Sequence, residues 1–164
     1  MHTGELLFCS VLKYGASRQL GDLHRRLGND IAGKKYSKIA DYLKRNIPDI
    51  FASTSGLFHA STAKSSQRDV WGSAFAVYID AIEEESADRI CRILADAYIK
   101  GTLSFRGNIR HVLTTDDFSE NTVWELTVDA DCPKNRYQNG AYWSTPAGWV
   151  CYAIAQVDEG LLLN

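Results

Sequence analysis

Apolar residues recur at steps of three and four along the start of the chain. Leu6, Leu7, Val11, Leu12, Tyr14, Leu20, Leu23 and Leu27 follow this spacing, which predicts a helix over 5–27 with one buried face. Gly15 and Gly21 interrupt it, as kinks or as close contacts. Gly28-Asn29-Asp30 is a stop-and-restart signal, and a second helix is expected over 31–51. Its stripe is Tyr36, Ile39, Ala40, Leu43 and Ile47. Pro48 should end or kink it, because proline lacks the amide proton that continues the ladder. The two helices make an αα-hairpin with a short connection.

A Ser/Thr-rich stretch over 53–67 follows, with a short extended piece expected at 56–60. The run 70–82 is apolar nearly all round, which predicts a deeply buried helix with Asp69 as its N-cap. The acidic turn Glu83-Glu84-Glu85 and a capping Ser86 introduce a fourth helix over 87–100, with Ile90, Ile93, Leu94, Ala97 and Tyr98 inward and Gly101 closing it. Residues 102–136 read as extended segments and long loops, and long loops in a compact domain are usually functional. Pro146 sits early in a last helix over 145–157, where its missing donor is harmless. The fold class is therefore mainly α, a single domain of about five helices. Odd members look interior and even members amphipathic.

Composition adds exclusions. The 164 residues are 45% hydrophobic and 23% charged, with a formal net charge of −2. That is an ordinary globular balance with room for a sizeable core. The short basic pairs Arg25-Arg26 and Lys34-Lys35 fit solvated helix faces better than a nucleic-acid surface. No apolar run approaches the ~20 residues that cross a bilayer, and nothing reads as a signal peptide. Cys9, Cys91, Cys132 and Cys151 lie far apart with no C-x-x-C pair. Cys9 and Cys91 are expected as buried free thiols, which favours a reducing, cytoplasmic location. No metal site is expected, because no two candidate ligands share ligand spacing.

Two stretches carry a resemblance. One is Gly56-Leu57-Phe58-His59-Ala60-Ser61 followed by residues 67–78, QRDVWGSAFAVY. The other is residues 137–149, YQNGAYWSTPAGW. Both resemble segments of the six-hairpin glycosidase superfamily, and the layout resembles the C-terminal half of its (α/α)6 toroid. In that superfamily a loop dense in aromatics and amides precedes an inner helix and faces a sugar-binding funnel. Arg68 stands where relatives would carry proline. Twelve helices of ~11–12 residues take about 135–145 residues before any connection is added, so this chain is expected to be partial. It would be a fragment, a truncated product, or a half that pairs with another chain, such as a missing N-terminal half or a second copy. The resemblance implies a carbohydrate substrate, inversion at the anomeric carbon, and no cofactor.

Glycoside hydrolysis generally uses two carboxyl groups across one bond. The candidates are Asp69, at the mouth of the third helix, and Glu125, beside Trp124. Each has a plainer reading, as an N-cap and as an exposed strand residue. Asp116 and Asp117 read as turn formers. Aromatic platforms and amides suit sugar rings, which nominates Trp71, Tyr142, Trp143, Gln138 and Asn139. Arg110 and His111 would bind hydroxyls or buttress the site. His24 and His59 are expected to be structural or exposed. The rival reading is a non-catalytic helical module, for sugar binding or protein interaction, that completes its barrel with a partner.

Overall fold

Residue-by-residue, the apolar periodicity becomes five α-helices in the computed structural model, which describes residues 4–63, 66–116 and 140–162. They are α1 (Leu7–Arg26), α2 (Asp30–Ile50), α3 (Val70–Tyr78), α4 (Glu84–Ile99) and α5 (Ala147–Ala155). The protein is mainly helical. No described helix is long and apolar enough to cross a membrane.

α1 and α2 pack as an antiparallel hairpin. Gly21 and Gly33 let the two backbones approach. A Cβ at Gly33 would stand 2.7 Å from Arg25 Cγ, and one at Gly21 would stand 3.0 Å from Ser37 Oγ. Gly21 is thus a close contact rather than a kink. His24 stacks on Tyr36 across the hairpin, ring centroids 5.5 Å apart. Asn29 caps α2, its side-chain oxygen accepting from the Ala32 N–H at 3.2 Å. Pro48 does not stop α2, which continues to Ile50, because the proline lies in the last turn where only one ladder bond is lost.

Three helices end in the same way. After α1, Gly28 takes a positive φ, and the N–H groups of Gly28 and Asn29 reach back to Arg25 and His24 carbonyls. Gly101 and Thr102 repeat this after α4, donating to the Tyr98 and Ala97 carbonyls. Asp80 does the same after α3 with φ 59°, so α3 stops at Tyr78 and not at the expected Ile82. Asp80 is held there by Lys44, 2.8 Å away. At the other end of the link, Glu83 rather than Ser86 is the N-cap of α4, and it makes no side-chain cap bond.

The core is built from Leu7, Val11, Ile47, Phe51, Leu57, Val70, Ala74, Ile90, Leu94, Val150 and Ile154, among others. α5 packs on α3 and α4. The expected interior role of α1 holds for one face only. Leu7, Val11 and Tyr14 are buried, whereas Leu12, Leu20, Leu23 (51% exposed) and Leu27 (71% exposed) face outward. Among the described elements α1 packs mainly on α2 and to a lesser extent on α3, Phe8 also reaches Trp149 of α5, and the face that carries these leucines stays exposed. Cys9 is exposed for the same reason, while Cys91 is buried.

Part of the long connection is a small antiparallel sheet, β1 (Ser104–Phe105), β2 (Asn108–Arg110) and β3 (Tyr142–Trp143), in that order. Arg106 and Gly107 turn β1 into β2 with φ 49° and 75°, the left-handed pair a tight hairpin requires. Ile109 faces Trp143 and Arg110 faces Tyr142 in the register.

Candidate functional site

Four separate chain segments converge on one cleft of about 600 Å³. Leu6, Phe8 and Cys9 come from the start of α1. Gln67, Asp69 and Trp71 lead into α3. His111 follows β2, and Trp143, Thr145 and Trp149 run from β3 into α5. Backbone hydrogen bonds fix these segments to one another. The Leu7 N–H donates to the Ala60 carbonyl at 3.0 Å, and the Ala60 N–H to the Gln67 carbonyl at 2.9 Å. The Val70 N–H donates to the His111 carbonyl at 2.8 Å, and β2 pairs with β3.

Phe8, Trp71, Trp143 and Trp149 give the lining its aromatic surface. Phe8, Phe75 and Trp149 form a cluster with centroid separations of 5.2, 5.9 and 4.6 Å. Trp71 presents an edge to Trp143 at 6.4 Å and packs against His111 at 5.4 Å. Two polar atoms are buried in this setting without a hydrogen-bond partner, Trp71 Nε1 and Gln67 Oε1.

Asp69 is both a cap and a cleft residue. Its Oδ1 accepts from the Gly72 N–H at 3.0 Å, and its own N–H donates to the Phe58 carbonyl at 2.8 Å. Burial pushes its carboxyl up to about 6, outweighing the bonds from the Gly72 and Trp71 amides that favour the anion. Gly72 is required here. A Cβ at this position would lie 2.5 Å from Asp69 Oδ2 and 2.7 Å from Leu7 Cδ2. His111 shifts the other way. Burial and then the neighbouring Arg110 charge press it down to about 4, so the imidazole is neutral at pH 7.

The remaining sequence candidates fall elsewhere. Arg110 is buried, with its Nε donating to the Gly140 carbonyl at 2.9 Å and Nη1 toward the Leu113 carbonyl at 3.5 Å. It buttresses the loop that leads into β3, and it is not among the residues lining the cleft. Tyr142 also lies off the cleft, against Phe105 at 5.9 Å, because strand alternation turns it away from the side that Trp143 faces. Asp116 is more than a turn former. Its carboxylate is buried and ion-paired with Arg68, which gives the arginine a structural role. Glu125, Gln138, Asn139 and Asp117 lie outside the described residues. Among the described residues no cluster of three or more His, Cys, Asp or Glu side chains could hold a metal ion.

Sequence reasoning missed Leu6, Phe8, Cys9, Gln67 and Thr145 as cleft residues, and treated Trp149 only as packing. Gln67 and Thr145 adjoin the two singled-out motifs. For Phe8 there was no local signal, since its place depends on a bridge between Leu6 and Ser61. No family model, curated protein or solved structure matches the chain.

Proposed function

We propose that this chain is a carbohydrate-active helical domain whose cleft binds a sugar ring, with Asp69 as the proton donor for glycosidic bond hydrolysis. The observation that carries the reading is the cleft itself. Trp71, Trp143, Trp149 and Phe8 share the cleft with the Asp69 carboxyl group, which is protonated at mildly acidic pH. Flat indole faces suit the apolar face of a sugar ring. A carboxyl titrating near 6 suits proton donation to a leaving oxygen. The second carboxylate would be Glu125, activating water.

The same reading places the two helical hairpins within an (α/α)6 toroid, as its C-terminal half. The uncovered face of α1, with Leu12, Leu20, Leu23 and Leu27, is the surface such a half would bury against an N-terminal half or a second copy. The test is hydrolysis of a panel of aryl glycosides and oligosaccharides between pH 4 and 8. Asp69→Asn keeps the cap and removes the proton, and should lower the rate by about 10²–10⁴-fold. An unchanged rate in that variant would end the catalytic assignment.

One observation favours a second reading, a sugar-binding module without catalysis. Among the described residues that line the cleft, Asp69 is the one carboxylate, and its Oδ1 is already engaged as a helix cap. Saturable sugar binding with no hydrolysis across the panel would select this alternative.

A further inference from the structure

α1 carries two apolar faces. Leu7, Val11, Tyr14 and Gly21 are buried on one. On the opposite side Cys9, Leu12, Ala16, Leu20, Leu23 and Leu27 are all exposed. At ~3.6 residues per turn these six fall within an arc of about 80°, with no charged residue among them, along about 27 Å of the helix and its C-cap. Their spacing is symmetric. Leu12 and Leu20 stand four residues to either side of Ala16, and Cys9 and Leu23 stand seven. A stripe that reads the same from both ends fits an antiparallel copy of itself.

We propose that a second copy of this chain packs its α1 antiparallel on this stripe, about a two-fold axis at Ala16. Cys9 of each copy then faces Leu23 of the other, and Leu12 faces Leu20. The small Ala16 side chains let the two backbones approach at the axis. The charges agree with this pairing. Lys13 falls opposite Gln19, and the end that carries Glu5 lies over the end that carries Arg26. Glu5 and Arg26 are exposed, and neither has an ion-pair partner among the described residues. A parallel pairing would set Lys13 against Lys13 and Arg26 against Arg26, and would align the helix dipoles instead of opposing them. The inference rests on the reading of this face as a buried surface and commits it to a second copy. It needs neither the toroid nor the sugar. It also reaches the cleft. Cys9 belongs to the stripe and lines the cleft together with Leu6. The second copy's Leu23 and Leu27 extend that wall, and the cleft is incomplete in one chain alone.

The experiment is sedimentation of the full chain as wild type, as Leu12→Lys, as Leu20→Glu and as an equimolar mixture of the two variants. Both positions are exposed, and circular dichroism checks the folding. The wild type is expected to dimerise. Each variant alone should dimerise at least tenfold more weakly, because a charge meets a leucine twice. In the mixture lysine meets glutamate and leucine meets leucine, so association should recover at least tenfold over either variant. In a Cys132→Ser and Cys151→Ser background, Leu23→Cys should oxidise to a disulfide-linked dimer through the native Cys9, and adding Cys9→Ser should abolish the link. A wild type that dimerises while the mixture gains nothing overturns the antiparallel pairing and leaves the half-toroid reading intact. Recovery in the mixture without the Cys9 link overturns the register and the completed cleft. A wild type that stays monomeric at every concentration overturns the inference outright.

Discussion

Asp69 accepts a hydrogen bond from the Gly72 N–H at 3.0 Å, and Asp69 Oδ2 fills the space where a side chain at 72 would begin. The two residues are therefore one unit, and the carboxyl cannot hold its place if position 72 gains a methyl group. Leu7 Cδ2 closes the other side at 2.7 Å from the same point. Gly72→Ala gains helix propensity but forces Asp69 or Leu7 aside. A net loss of about 1–3 kcal/mol is expected, read as a lower urea midpoint with an unchanged slope.

Asp69 and His111 oppose each other in their effect on stability. Asp69 titrates near 6 in the fold against an ordinary 3.8, so the folded state takes up its proton first. Its contribution rises as pH falls from about 6 to about 4. His111 titrates near 4 in the fold against an ordinary 6.5, so the unfolded state takes up its proton first. Its contribution falls as pH drops from about 6.5 toward 4. Each amounts to at most about 3 kcal/mol. The wild type should then show little change in stability between pH 4 and 6 from these two groups. Asp69→Asn should lose stability on acidification, and His111→Asn should gain it. Urea unfolding at pH 4, 5 and 6 measures all three, and parallel profiles would refute the pairing of slopes.

The Arg68–Asp116 ion pair joins the loop before α3 to the segment after β2. Asp116 is 8% exposed, and its Oδ2 has no partner. Removing the arginine strands a buried charge, so Arg68→Ala should cost about 2–4 kcal/mol. Adding Asp116→Asn to that variant should recover much of the loss. A double-mutant cycle on thermal or urea unfolding gives the coupling, and strict additivity would show that the pair contributes nothing.

The outward leucines of α1 give a hydrodynamic prediction. If they are the surface of an incomplete toroid, the chain should self-associate in a concentration-dependent way during sedimentation. Leu23→Glu together with Leu27→Glu should shift it to monomer, with stability changed by less than about 1 kcal/mol, since both positions are exposed. A wild type that stays monomeric at every concentration would count against the half-toroid assignment.

Local chemistry explains which elements were readable in sequence. Residues 84–99 carry a strong amphipathic period and a glycine stop, and the helix ends within a residue or so of expectation. α3 was legible as buried because apolar residues leave no polar side, yet its end was misread, since nothing in sequence shows that Asp80 will take a left-handed turn under Lys44. α1 shows the limit of periodicity. It contains leucines enough for two faces, and only the packing of α2 and α3 decides which is covered. In the site, Asp69, Trp71, His111 and Trp143 do share one cleft. Arg110 and Tyr142, in β2 and β3, directly precede His111 and Trp143 and do not line the cleft. A register shift of one residue reverses facing, and register is set by pairing partners far along the chain.

The joining of Phe8, Trp71, His111 and Trp149 in one cavity has a kinetic consequence. No stretch of the chain shorter than most of its length contains both walls. The cleft can form only after loops of many tens of residues have closed, and such pairings are slow and come late in folding. A molecule that binds there will find no foothold in partly folded chains. Binding should then retard unfolding without hastening folding, so the rate of global unfolding becomes a sensitive reporter of occupancy.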